Sequence, residues 1–249
     1  MKSVTDLPLL QYNQVLQALN NLQSKNWLRD RALIAAIYLS GCRIREIIGI
    51  KCKDEIIRLR QRNKELKAKL IIEKNKKTQT RLEKQIKLVI ERGQRIKKKL
   101  EHDPESYYRE PLRKYQLRRV IDGKYKFLQI EGLSVLKRRE KARVLKNPPM
   151  SYHKEKAFID VLWKYKGALP KDESVLFSFS RRQALRIIKK AFGDEFFPHY
   201  LRHLRVTRLI GPEYGFNLEE TRVFLGSKSA SSLEPYSHLA TSDIRKKMR

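Results

Sequence analysis

The sequence predicts a mainly α-helical fold with a small antiparallel β-sheet, and three observations predict it. Apolar residues recur at helical spacing through most of the 249 residues. Strand formers concentrate in one region, residues 106–150, as short runs between turn signals. A third region, residues 53–105, has no glycine or proline until Gly93 and Pro104 and repeats its apolar residues at heptad-like intervals. The length allows one or two domains and a substantial core.

In chain order, residues 7–50 read as helices. Leu10, Val15, Leu16, Leu19 and Leu22 mark the first, and Leu28, Leu33, Ile34, Ile37, Tyr38 and Leu39 the second. Ser40-Gly41 ends the second, because glycine readily terminates a helix. A short helix follows from about Arg45 to Ile50. In the 53–105 segment, Leu59, Leu66 and Leu70 form one apolar register, and Leu82, Ile86, Val89, Ile96 and Leu100 another. The registers do not join across the polar residues 74–80. That break predicts an antiparallel helical hairpin turning near residues 75–79. The alternative is one continuous helix of ~70 Å.

Tyr125–Ile130 reads as a strand. Leu133–Leu136 is a second short run, and Arg143–Leu145 a return strand before Pro148-Pro149, with the charged Lys137–Lys141 at the tip. Residues 151–167 read as a helix, Val175–Phe177 as a short extended piece, and Arg181–Phe192 as a helix. Pro198 opens a further helix ended by Gly211-Pro212. Leu218–Leu225 forms the next, ended by Gly226.

Composition narrows the function. The chain has 57 Lys and Arg against 27 Asp and Glu, a net charge of +30. Such a chain repels itself unless polyanions neutralise it, and nucleic acid fits that role better than an anionic membrane surface. At 41% apolar and 9% aromatic residues it is too hydrophobic for a disordered basic tail. No apolar run approaches membrane-spanning length, and the N-terminus lacks the pattern of a signal peptide, so a cytoplasmic protein is expected. Cys42 and Cys52 form neither a disulfide framework nor a zinc pattern. Residues 51–105 hold 19 Lys and Arg against 9 Asp and Glu. The basicity is therefore denser there but not confined to it.

Three separated pieces carry chemistry together. Gly41-Cys42-Arg43 places an arginine just past a helix end. His199 and Arg202, at i and i+3, share a face near a helix N-terminus, where anions are favoured. Leu225-Gly226-Ser227 is followed nine residues later by Tyr236. Two arginines suit a phosphodiester, because planar guanidinium forks grip two non-bridging oxygens at once. The acidic residues form no evident metal cluster, and no phosphate-binding G-x-x-x-x-G-K-S/T loop is present.

These pieces resemble the three boxes of the tyrosine recombinases, or phage-type integrases. Ser40–Ile47 is similar to T-G-L-R-x-S-E-L. His199–Thr207 is similar to H-x-L-R-H-x-x-x-T. Phe224–Tyr236 keeps the spacing of L-L-G-H-x-x-x-x-T-x-x-Y, and Tyr236-Ser-His238 resembles the family's Y-x-H. The resemblance covers roughly residues 8–50 and 106–242. It implies the DNA breaking-rejoining catalytic fold, double-stranded DNA as partner, a homo-oligomer (dimer or tetramer) on DNA, and neither metal nor cofactor. It also implies roles. Tyr236 attacks the scissile phosphate, Arg43 and Arg202 stabilise the phosphorane-like transition state, and His199 assists as acid or base. A hairpin lysine, Lys137 with Lys141 as its rival, protonates the leaving 5′-oxygen. Ser227, Lys228 and Arg205 are the expected DNA contacts.

The sequence departs from the family pattern in three places. Ser227 stands where the third box usually has His or Trp. The N-terminal DNA-clamping domain is not expected. The 53–105 insertion interrupts an otherwise single catalytic domain spanning 1–249, and its charge suits it to DNA or protomer contacts. Two other functions are open at this point: a catalytically weakened DNA-binding protein of the same fold, and a type IB topoisomerase-like relaxing enzyme. A basic coiled-coil packaging protein would not explain the three ordered boxes.

Overall fold

The structure, a computed structural model, describes residues 7–102, 108–134, 145–227 and 233. The chain divides into two compact units, one of Met1–Ile48 with Pro111–Arg249 and one of Gly49–Glu110. Among the described residues no helix is long and apolar enough to cross a membrane.

The first unit is built around α2 (Trp27–Ser40), preceded by α1 (Tyr12–Asn21) and followed by α3 (Ile44–Ile48). Every residue from Ala32 to Ser40 in α2 is buried. A helix apolar on all sides belongs in the middle of a core. Accordingly α2 packs against α1, α6 (Tyr152–Gly167), α7 (Arg181–Phe192) and α8 (Pro198–Ile210). Tyr12 and Tyr38 both pack on Phe158 of α6, with ring centroids 5.3 and 4.9 Å apart. The last described helix, α9 (Leu218–Leu225), starts at a reciprocal cap. Asn217 Oδ1 accepts from the Glu220 N–H, and the Glu220 carboxylate accepts from the Asn217 N–H, both at 2.8 Å.

A three-stranded antiparallel sheet flanks the helices, in the order β3 (Leu117–Asp122), β4 (Tyr125–Ile130), β7 (Pro149–Ser151). β4 is the expected strand, and it lies in the centre. β3 and β7 were not expected. The polar run Leu-Arg-Arg-Val-Ile-Asp hides β3 because only Leu117 is fully buried. β7 begins on Pro149, which reads as a strand breaker but is tolerated on an edge, where it lies opposite Gln129. Between β4 and β7 the chain makes a ribbon, β5 (Leu133–Ser134) against β6 (Leu145–Lys146). Leu133, Ser134 and Leu145 belong to the expected short run and return strand, whose other residues lie outside the described ones. The ribbon's tip, with Lys137 and Lys141, lies outside the described residues.

The second unit is a helical hairpin of α4 (Cys52–Ile72) and α5 (Lys76–His102), closed by the short pair β1 (Ile50–Lys51) and β2 (Tyr108–Arg109). The hairpin, not the continuous helix, is what forms. Its turn falls at residues 73–75, slightly earlier than expected. Asn75 causes the shift: its Oδ1 accepts from the Lys77 and Thr78 N–H groups at 3.0 and 3.3 Å and so starts α5. Leu66 is buried in the seam, with Leu59, Leu70, Leu82, Ile86, Val89 and Ile96 half-buried around it.

Candidate active site

The site grows from the end of α2. Gly41 caps that helix in the left-handed region at φ 58°. A Cβ there would stand 2.7 Å from Leu225 Cδ2. Glycine thus answers both a backbone need and a close approach between the first and third boxes.

The Gly41–Arg43 loop ties two arginines together. Arg202, on α8, donates from Nη1 to the Gly41 carbonyl at 2.5 Å and from Nη2 to Ser227 Oγ at 3.3 Å. It is 6% exposed, held by partners on both sides. Arg43, at the start of α3, remains 23% exposed. Its backbone N–H is accepted by Glu46 Oε2 at 2.9 Å, and its Nη1 donates to Glu46 Oε1 at 3.3 Å. Glu46 therefore caps α3 and steers the Arg43 side chain at once.

Two side chains of the candidate site were not singled out from the sequence. Glu46 was visible only as part of the first box. Lys146, on β6, carried no signal at all, because a lysine before Asn-Pro-Pro reads as a solvated turn. In the structure it is buried. Its Nζ lies 3.2 Å from Glu46 Oε2 and donates to the Leu225 carbonyl at 3.0 Å. A cation suits the C-terminal carbonyls of α9. Lys146 thus fastens the ribbon base to the first and third boxes.

The remaining expected residues are placed as follows. His199 is exposed in the first turn of α8, one turn before Arg202. Ser227 is buried and accepts from Arg202, so its hydroxyl is already engaged. Arg205 is corrected. Expected as a DNA contact, it is 1% exposed. Its Nη1 donates to Glu155 Oε1, and its guanidinium lies 5.0 and 5.2 Å from the Tyr214 and Phe224 ring centroids. The reason is the face of α8 on which it falls, toward the buried carboxylate of α6. Lys137, Lys141, Lys228, Tyr236 and His238 lie outside the described residues. Leu233 is described, and packs with Val206, Ile210 and Leu225.

Electrostatics sorts the titratable groups. Burial pushes the Tyr38 and Tyr214 phenols up to about 12, despite nearby arginines. Neither phenol is poised to ionise. Burial also lowers the pKa of His203, which favours its neutral form. Burial raises the Cys42 thiol, so it packs as an apolar group.

Comparison with known proteins supplies the relationship. No curated protein matches the chain. Among solved structures, the XerH site-specific recombinase bound to difH substrate in a pre-cleavage complex is similar, with a TM-score of 0.47 and 14% identity over 98% of this chain. The chain spans 54% of that protein's length. The family model described as the phage integrase family matches residues 7–243, nearly the whole sequence. With its helical fold, small antiparallel sheet and joined arginines, the chain belongs to the phage integrase family of tyrosine recombinases.

Proposed function

We propose that the protein is a site-specific DNA recombinase that cleaves and rejoins strands through a covalent 3′-phosphotyrosine. The observation that carries this reading is the shared loop. One short segment, Gly41–Arg43, presents Arg43 and fixes Arg202, whose box lies about 160 residues away in sequence. Two guanidinium groups held at one loop are the equipment for stabilising a phosphorane-like transition state.

Tyr236 is the nucleophile of this proposal. Chain geometry supports it: Leu233 is seated against Leu225 and Val206, and three residues span at most about 10 Å. The Tyr236 oxygen attacks phosphorus as the bond to the 5′-oxygen breaks. His199 assists proton movement at the nucleophile. Lys137, or its rival Lys141, gives its proton to the departing 5′-oxygen. Either lysine sits on the connection between β4 and β7, a ribbon whose base is pinned through Lys146 to Glu46. Lys228 contacts a phosphate, and Ser227 acts by holding Arg202. Rejoining reverses each step: the free 5′-hydroxyl attacks phosphorus and the tyrosine oxygen leaves. The phosphoester is conserved throughout, so neither ATP nor metal is needed. The protein acts as a dimer or tetramer on duplex DNA.

A second reading, a binder with weakened catalysis, is favoured by one feature. Ser227, at the usual His or Trp position, is turned to Arg202. One experiment separates the two. With a nicked suicide duplex, the wild-type protein should give a covalent adduct on a denaturing gel in the presence of EDTA, and Tyr236→Phe should give none while still binding DNA. No adduct from the wild type supports the binder. Persistence in Tyr236→Phe moves the nucleophile elsewhere.

A further inference from the structure

We propose that the outward face of α5 in the hairpin unit is a binding surface for the phosphate backbone of duplex DNA. The helix divides its residues sharply. Leu82, Ile86, Val89 and Ile96 turn into the seam against α4. Lys77, Arg81, Lys84, Arg92, Arg95 and Lys98 recur at intervals of three, four and eight. At 3.6 residues per turn they share an arc of ~120° opposite that seam. All six are exposed.

Within that arc the only acid is Glu91, which pairs with Arg95 at 3.7 Å. Glu83 and Glu101 fall on the flank. Exposed charge alone would be distributed around a solvated helix, with acids interspersed. Lys76, Lys87 and Lys97 lie outside the arc, so positive charge is enriched on this face rather than confined to it. α4 behaves differently: away from the seam, exposed Ile57, Ala68 and Ile72 are uncharged, and the charges among them, Lys64 and Glu65, are of opposite sign. The hairpin is therefore not uniformly basic.

The dimensions suit the partner. Lys77 to Lys98 spans ~32 Å at 1.5 Å per residue, close to one turn of B-form DNA at ~34 Å. A band of cations of that length can lie along a duplex backbone, and gives counterion release without base readout. Glu91 leaves one gap in the row, and Leu88 another. This inference rests on the reading that duplex DNA is the substrate, and it assigns to the inserted hairpin a share of that binding.

The test is the salt dependence of equilibrium binding, using the full chain and a fluorescent duplex. The variant R81Q/K84Q/K98Q removes three charges from the row and keeps good helix formers. A charge-matched control, R60Q/K64Q/K67Q, removes three from α4. Each lost phosphate contact lowers the slope of log K against log salt by about 0.9. The α5 variant should therefore lose about 2 to 3 from its slope on site-bearing and random duplexes alike, and the control clearly less. An unchanged slope overturns the proposal, as do equal losses in both variants, which would reveal a bulk charge effect. A shift in sedimentation of the α5 variant with its slope intact also overturns it, in favour of protomer contact. Because this readout needs no cleavage, its failure is distinguishable from a failure of the covalent-adduct assay. Circular dichroism confirms that each variant remains helical.

Discussion

Arg202 and Arg205 sit three residues apart on α8 and have opposite partners. Arg202 reaches the Gly41 carbonyl and the Ser227 hydroxyl, both parts of the candidate site. Arg205 reaches Glu155, whose side chain is fully buried and which also faces Arg208 at 3.7 Å. A buried carboxylate between two arginines is tolerated only while the charges remain matched. Glu155→Gln keeps the shape and removes the charge. It leaves Arg205 buried without a counterion, and should destabilise the first unit by about 3–5 kcal/mol, as removal of one member of a buried pair does. Urea unfolding measures it. A loss under about 1 kcal/mol would show that water reaches the pair, as at surface ion pairs. The burial of Arg205 was not legible in the sequence. Arg202 and Arg205 both follow His199 in one basic run, and only the tertiary position of α6 decides which meets a carboxylate. Lys146 was invisible for the same reason: its partners, Glu46 and Leu225, are 100 and 79 residues away.

At the scale of elements, what was legible depended on how local its cause was. α1 declares itself through apolar spacing, and α2 and α9 through apolar spacing and glycine stops, all of which are local. The hairpin declares itself through its broken register, since one helix cannot keep two apolar stripes aligned across residues 74–80. β3 and β7 do not, because an edge strand with one buried residue, or with a leading proline, has almost no signature of its own. Both exist because β4 offers them a partner. The hairpin seam contains one local conflict as well. Asn63 Oδ1 is buried there without a hydrogen-bond partner. An unsatisfied buried carbonyl costs about 1–3 kcal/mol. Asn63→Leu should therefore slow amide hydrogen exchange across the middle of α4 and α5, with protection rising by about tenfold, the equivalent of ~1.4 kcal/mol. Exchange as fast as in the wild type would mean that the amide finds water. A buried polar residue at such a position can also fix the pairing register, so the leucine variant is expected to gain protection but lose uniqueness, visible as extra amide resonances.

For the whole molecule, the governing quantity is the net charge of +30. Like charges repel within a folded chain, and they repel less once salt shortens the Debye length to about 10 Å at 0.1 M. Free protein should therefore melt at a higher temperature as potassium chloride rises from about 0.05 to 0.3 M, a range over which the Debye length falls from about 14 to about 6 Å. Duplex DNA reverses the sign. A ligand that binds only the folded state stabilises it by RT ln(1 + [L]/Kd), about 2.7 kcal/mol at a hundredfold excess over Kd. Salt raises Kd steeply by removing the gain from counterion release. With DNA at fixed concentration, the melting temperature should begin above that of free protein and fall toward it over the same salt range. The two curves converge because one polyanion and many small anions compete to neutralise the same lysines and arginines. Parallel curves would mean that DNA binding is not electrostatic in origin. A free-protein curve falling with salt would mean that its exposed ion pairs, such as Lys156 with Asp160 and Arg222 with Glu219, outweigh the repulsion among its surplus cations.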